Sequence, residues 1–302
     1  VDKRRGIPLH VGAVIDASTR HRIAILLIAM LWAVAWPSAG PTHIELAKRL
    51  AKAHLAGNAL PQLSAIRPDA TLADAYDMQK RFVDKVAKTH KGIAGYKGAV
   101  AGAAGQKVLK LKGPLSAVLF RDGWLEATAK PTIRLAKFPG TKIETEVGFV
   151  IGRAIIRPIN DVDALKAHVE AIVPVIELPA GKLEPTQPMV ALDLAAANVL
   201  SANYIVGRRN PVAKVNPNRA TIHLARRLAK GDEEKNKTTG AAAHRGQWQN
   251  LLHQVNHALG QGREIQPGHL ILTGALGKIT LAEPGDWTAD FGELGKIEFS
   301  IH

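Results

Sequence analysis

The sequence predicts an α+β domain behind an apolar N-terminal segment. Two observations set the fold class. Helical periodicity is concentrated between residues 44 and 88, whereas alternating, β-branched segments dominate from Lys142 onward. Helices and strands therefore fall in separate blocks, which suits α+β better than a regular βαβ repeat. A third observation concerns chemistry. Two glutamates, Glu144 and Glu146, sit two residues apart inside a strand pattern, and Glu177 is the lone charge in another.

The chain has 302 residues, 46% of them hydrophobic and 22% charged, an ordinary globular balance. It has no cysteine, which excludes a disulfide scaffold, a thiolate zinc site, an iron–sulfur cluster and a cysteine nucleophile. The formal net charge is +14. That charge is local. Residues 208–245 hold ten Lys/Arg against three Asp/Glu, and residues 1–22 hold five against two. These two segments carry ten of the fourteen net charges. No nucleic-acid recognition motif accompanies them, and only 5% of residues are aromatic, so a nucleic-acid partner is not expected.

Arg20 and Arg22 precede fourteen uncharged apolar residues, Ile23–Trp36, and Pro37–Gly40 supply small residues. A basic flank, a short apolar run and a small-residue site form the pattern of a secretory signal. The run is short for a spanning helix, which needs about 20 residues. A buried core helix and an uncleaved anchor are the alternatives. The pattern predicts residues 1–40 as a leader or anchor, residues 41–302 as one domain, and export to a periplasm-like compartment.

Ile44, Leu46, Leu50 and Leu55 recur at helical spacing, and Gly57 can end that helix. Thr71 and Asp74 form a capping-box pattern that opens a second helix to about Lys88. Short glycine-rich apolar segments follow from Ile93 to Phe120. Lys142–Ile156 reads as a strand, Asp161 starts a short helix, and Ala171–Leu178 reads as a buried strand. Tyr204–Val206 is strand-like. Thr221–Lys230 reads as a helix with a basic face, and Lys230–Gly240 as a mobile surface loop. The basic segment 208–245 is expected as an insertion, either solvated surface or an anion-attracting flap. Trp248–Leu259 reads as a helix. His269–Thr273, Trp287–Phe291 and Lys296–Ile301 read as strands.

Strand residues two apart point to one face, so Glu144 and Glu146 repel unless a cation or proton lies between them. Glu177 in an apolar strand needs a partner or a metal. Three carboxylates without His or Cys suit a hard ion such as Mg²⁺. A solvated strand edge for the pair, and a simple ion pair for Glu177, remain the alternatives.

Lys142–Val150, Pro174–Leu178, Ile271–Gly274, Pro284–Asp286 and Ala289–Gly295 occur in an order and spacing that resemble the 2-keto-4-pentenoate hydratase group of the fumarylacetoacetate hydrolase superfamily. Ala75–Gln79, Gly95–Gly98 and Gln106 extend the resemblance upstream. It implies a mixed β-sheet roll with flanking helices and a homo-oligomer. It further implies Mg²⁺ or Mn²⁺ on Glu144, Glu146 and Glu177, and Lys97 as the catalytic lysine. Read alone, Lys97 is a solvated loop lysine. Asn198, Ser201, Thr273 and Gly274 fall where the family lines its substrate pocket.

The resemblance implies a hydratase acting on a small anionic 2-hydroxydienoate or 2-oxo acid through a metal-chelated enolate. An oxo-diacid decarboxylase, a diketo-acid hydrolase and a non-catalytic exported oxo-acid binder are the competing readings. The chain departs from the family at Leu200 and Ala275, where serine is frequent, and at Pro179–Lys182, where an acidic residue and an arginine are usual. These departures imply altered hydrogen bonding to the substrate.

Overall fold

The computed structural model describes residues 41–185, 188 and 190–302. The leader reading, residues 1–40, lies outside these residues.

Three helices open the domain: α1 (His43–Leu55), α2 (Leu63–Ile66) and α3 (Leu72–Val86). Both long ones begin at a reciprocal cap. Glu45 N donates to Thr42 Oγ1 (3.3 Å) while Thr42 N donates to Glu45 Oε2 (2.8 Å). Thr71 and Asp74 repeat this arrangement at α3, as the sequence predicts. Leu46 and Leu50 of α1, and Met78 and Phe82 of α3, bury their stripes in one core.

Then come β1 (Ile93–Ala99), α4 (Ala103–Val108), β2 (Leu115–Phe120), β3 (Trp124–Glu126), β4 (Thr132–Ile133) and β5 (Lys142–Ile151). These are followed by α5 (Val162–Lys166), β6 (Val169–Leu178), α6 (Ala191–Ala196), β7 (Asn203–Val206) and β8 (Asn210–Pro211). The chain closes with β9 (Thr221–Leu228), β10 (Gly231–Thr239), α7 (Gln247–Gly260), β11 (Leu270–Leu272), β12 (Thr280–Leu281), β13 (Gly285–Asp290) and β14 (Lys296–Ile301).

One mixed sheet runs β2-β1-β11-β5-β6-β7-β3, with β12 added to β5 and β8 to β6. The edge strand β2 approaches β7, next to the opposite edge, because Tyr204 Oη of β7 donates to the carbonyl of Phe120 at the end of β2 (2.9 Å). The sheet is thus a roll. Its inner face is a compact apolar cluster that includes Leu119, Val150, Val173, Val175, Tyr204 and Leu272. Its outer face packs against the helices and a second sheet, β10-β9-β13-β14-β4. Phe149 meets Trp248 of α7 there, ring centroids 4.9 Å apart. Mixed sheets with flanking helices are the architecture the sequence predicts.

The basic segment differs from its sequence reading. Thr221–Leu228 is strand β9 rather than a helix, and Gly231–Thr239 is strand β10 rather than a mobile loop. The two form an antiparallel hairpin, and β9 pairs with β13 on its other side. The reason is a period of two hidden under charge. Ile222 and Leu224 alternate into the core, while His223, Arg227 and their neighbours face outward. Asp and Glu on β10 meet the β9 cations across the hairpin, for example Arg226 with Glu233 and Arg227 with Asp232.

Candidate metal centre

Strands β5 and β6 form the middle of the roll, and their register brings the acidic residues together. Glu144 is paired directly with Glu177, and Glu146 with Val175. Side chains alternate, so Glu144, Glu146 and Glu177 share the inner face of the roll. Their carboxylates offer one oxygen each within 4.8 Å of one another. Glu146 and Glu177 are fully buried and Glu144 is partly exposed at the rim. The solvated-edge alternative therefore fails for Glu146, because β6 pairs with this stretch of β5 on one side and Thr273 N and Leu276 N bond Val147 O and Thr145 O on the other.

Lys97 belongs to the same place. It sits in β1, with Leu272 of β11 as its partner on one side and Ala117 of β2 on the other. It is 1% exposed and its Nζ donates to Glu177 Oε1. The isolated sequence suggests a loop lysine, but Gly95 and Gly98 instead let two surfaces close on this strand. A Cβ at Gly95 would lie 1.8 Å from Leu270 O, and one at Gly98 would lie 2.8 Å from Gln254 Nε2. Only glycine at position 95 allows β11 to approach β1 this closely, and Gly98 leaves room for the Gln254 amide of α7 and the Thr273 backbone.

Gly274 supplies a backbone donor, its N–H reaching Glu146 Oε2 at 2.8 Å. Its φ of +105° and a would-be Cβ only 2.5 Å from the Ala101 methyl both demand glycine. The turn that carries it is held from behind by Asn236 of β10. Asn236 Nδ2 donates to Leu276 O (2.9 Å) and to Thr145 Oγ1 (3.1 Å), and its Oδ1 accepts from Lys278 N (3.0 Å). Nothing in the Lys-Asn-Lys run around Asn236 announces this role.

The electrostatics are dominated by burial and mutual repulsion. Burial, then the charge of Glu177, raises the Glu144 carboxyl to about 7. Burial, then Glu177 and Glu144, holds Glu146 well above the usual carboxylate range. Burial alone would lower Lys97, but Glu177, Glu144 and Glu146 together outweigh it and raise its pKa. One ammonium thus answers three carboxyls. Glu146 Oε1 and Glu177 Oε2 remain buried without a hydrogen-bond partner among the described residues. Orphaned carboxylate oxygens facing one another fit a hard divalent cation.

The other residues named from the sequence lie differently. Thr273 follows Leu272 onto the opposite face, where its hydroxyl meets Val147 O (3.2 Å) and the side chain of Gln247. Asn198 spends both ends of its amide on β2, accepting from Val118 N (2.7 Å) and donating to Val118 O (2.9 Å). It opens a turn in which Asn198, Val199 and Leu200 all have φ near +50°. Ser201 follows that turn and lines a cleft in which none of Lys97, Glu144, Glu146 and Glu177 takes part.

No family model matches the chain. It is 25% identical over 243 residues to a 2-keto-4-pentenoate hydratase of Paraburkholderia xenovorans, covering 80% of this chain and 88% of that protein. The chain is thus similar to the 2-keto-4-pentenoate hydratases over most of its length. It is also 23% identical over 270 residues to the 2-oxo-hept-4-ene-1,7-dioate hydratase of Escherichia coli, covering 85% and 96% of the two chains.

Among solved structures, the fold is similar to 4-oxalocrotonate decarboxylase from Pseudomonas putida G7, complexed with magnesium and adipate. The TM-score is 0.78 at 20% identity, over 86% of this chain and 97% of that one. It is more distantly similar to fumarylpyruvate hydrolase from Pseudomonas aeruginosa, in complex with Mn²⁺ and pyruvate. There the TM-score is 0.51 at 14% identity, over 68% and 88% of the chains. The hydratase resemblance read from the motifs is thus matched by relatives along most of the chain. Among the described residues, no helix is long and apolar enough to cross a membrane.

Proposed function

We propose that the chain is a divalent-metal-dependent hydratase, a hydro-lyase that adds water to a small 2-hydroxydienoate or 2-oxo acid. One observation carries this reading: a buried lysine among three carboxyls, two of which, Glu146 and Glu177, each keep a buried oxygen without a partner among the described residues. The hydratase relatives and the metal-bound solved structures support it.

Glu144, Glu146 and Glu177 would hold the ion. When bound, Mg²⁺ or Mn²⁺ supplies Lewis acidity toward the carboxylate and neighbouring oxygen of an oxo acid. The protein's own groups do the rest. The Gly274 amide fixes one Glu146 oxygen and so orients that carboxylate. The roll's apolar inner cluster keeps bulk water from the back of the site. Glu144, the one partly exposed member, marks the side from which substrate enters.

Lys97 holds or moves the proton at the reacting carbon or at water. The carboxyl charges keep it an ammonium. Neutralisation of those charges is what allows Nζ to lose a proton and act as a base. The leader reading for residues 1–40 adds export to this proposal and rests on the sequence pattern alone.

The test is a panel of 2-hydroxydienoic, oxo-diacid and diketo acids, with and without Mg²⁺ or Mn²⁺, read by product mass. A gain of 18 Da that requires metal supports the hydratase. Metal-dependent loss of carbon dioxide, or carbon–carbon cleavage, would move the activity to a decarboxylase or hydrolase. No turnover, with an oxo acid bound at the carboxylates, would make the chain a binder.

A further inference from the structure

The roll's outer face carries a second cluster that the proposed reaction does not use. Phe120 faces opposite to Lys97, because the residue before it in β2, Leu119, belongs to the inner cluster. Asn203 pairs with Leu178 and so faces opposite to Glu177. Around these two residues lies a cleft of about 260 Å³. His54, His90 and Asp122 line it together with Ser201.

The two imidazoles meet head to head. His54 Nε2, in the last turn of α1, lies 2.8 Å from His90 Nε2. His90 Nδ1 lies 3.0 Å from Asp122 Oδ2. The ring planes are fixed by aromatic neighbours. Phe120 stacks on His90 with centroids 4.5 Å apart, and Phe82 meets His54 edge-on at 5.3 Å. The backbone repeats the link, since Asp122 N donates to His90 O (3.3 Å).

The protons follow from this order. In the tautomer that donates Nδ1–H to Asp122, His90 Nε2 carries a lone pair. His54 must then supply the one hydrogen between the rings. Burial, then His90, pushes His54 down to about 4, so its ring is neutral near pH 7. Neutral imidazole is the ligating form, and a carboxylate on the far nitrogen is the usual support of a ligating histidine.

We propose that His54 and His90 are the paired ligands of a site for a borderline transition ion of the Zn²⁺ and Cu²⁺ class, with Asp122 orienting His90. Two nitrogens on one tetrahedral ion stand about 3.3 Å apart, so the rings need to part by about half an ångström and turn until both Nε2 lone pairs converge, with the hydrogen on His54 Nε2 moving to its Nδ1. The remaining positions face the cleft that Ser201 also lines, where the buried Ser201 hydroxyl has no hydrogen-bond partner among the described residues. The left-handed turn of Asn198, Val199 and Leu200 delivers that hydroxyl. Two of its three residues are types that rarely adopt such angles, and such strain clusters at functional sites. Imidazole nitrogen selects Zn²⁺ and Cu²⁺, whereas the carboxylate centre on the other face suits Mg²⁺ or Mn²⁺.

The experiment uses the full chain stripped with a chelator. Cu²⁺ is added and its paramagnetic resonance spectrum is read for nitrogen coupling, and Zn²⁺ uptake is counted by calorimetry. One Cu²⁺ per chain coupled to two nitrogens is the expected result. His54→Ala and His90→Ala should each abolish that signal, and Asp122→Asn should weaken the affinity by about 10–100-fold. Glu146→Gln should leave it in place, which separates this site from the carboxylate centre. A nitrogen-coupled signal that survives in both alanine variants belongs to other histidines and overturns the proposal. So does a wild-type spectrum without two-nitrogen coupling, whether or not any variant folds. In that case the pair is a hydrogen-bonded link between α1 and the turn after α3, and nothing more.

Discussion

Glu144 on β5 and Glu177 on β6 are direct cross-strand partners on the inner face of the roll. Like charges directly opposite each other destabilise a sheet. The protein tolerates the pair because Lys97 donates to Glu177 and the Glu144 carboxyl is raised to about 7. A divalent ion would remove the remaining repulsion, so the chain should be measurably firmer when loaded. At Mg²⁺ or Mn²⁺ 100-fold above the dissociation constant, the gain is about 2.7 kcal/mol. Thermal unfolding with chelator and with each ion checks this. Glu146→Gln should abolish the metal-dependent rise. An equal rise in that variant would remove Glu146 from the ligand set.

Lys97→Met should stop turnover and should also destabilise the metal-free chain. Glu177 would be left as an unpaired buried carboxylate, a loss of about 3–5 kcal/mol. The double variant Lys97→Met with Glu177→Gln should recover most of that stability and none of the activity. Urea unfolding of the single and double variants separates the two roles. Full turnover in Lys97→Met would contradict the assignment of Lys97 as the proton carrier.

Two opposed pH effects meet between pH 4 and 7. His54 and His257 are each pushed down to about 4, chiefly by burial. The unfolded chain therefore binds protons that the folded chain refuses, and stability from these histidines is complete above pH 6.5. It is lost as pH falls toward 4, about 1–3 kcal/mol per histidine after solvent screening. Glu144 acts in the other direction. Its raised carboxyl keeps a proton in the folded state up to about 7, so its contribution declines as pH rises from 4.5. His257 Nε2 is buried without a hydrogen-bond partner among the described residues, so His257→Gln tests the first effect alone. Subtracting its urea profile from the wild-type profile should leave a difference that grows with pH across this window. A constant difference would refute it.

Asn198→Ala should act on stability before it acts on chemistry. The amide makes both of its bonds to the Val118 backbone inside the core, and asparagine tolerates the left-handed φ of 51° better than alanine does. Losing them should cost about 2–4 kcal/mol, with KM moved less than the melting temperature. An unchanged melting temperature with a large rise in KM would instead make Asn198 a substrate contact.

The acidic centre is legible in the sequence because parity is a strong rule. Glu144 and Glu146 must share a face, and a lone Glu177 in an apolar strand must face company. Lys97 is different. Gly95 and Gly98 around it read as a loop, and only the approach of Leu270 and Gln254 shows why glycine is needed in a buried strand. The β9–β10 hairpin is obscured by charge. Ile222 and Leu224 carry its alternation, but arginines and glutamates at partly exposed positions outnumber them. Long-range hydrogen bonds leave no local trace at all, and Asn236 is the clearest example.

Asn236→Ala is the variant that joins the hairpin to the metal centre. Its amide braces Thr145, Leu276 and Lys278, and the same turn sends Gly274 N to Glu146. Without the brace the turn should loosen, and Glu146 should lose part of its orientation. Affinity for Mn²⁺ should fall by about 10-fold, the scale of a lost supporting contact around a metal ligand. The hairpin should persist, because its ladder and its Ile222 and Leu224 contacts do not depend on this side chain. Mn²⁺ titration followed by paramagnetic resonance measures the first point, and hydrogen exchange of the β9–β10 amides measures the second. Unchanged Mn²⁺ affinity would show that the Gly274 turn holds its shape unaided, and would confine Asn236 to packing.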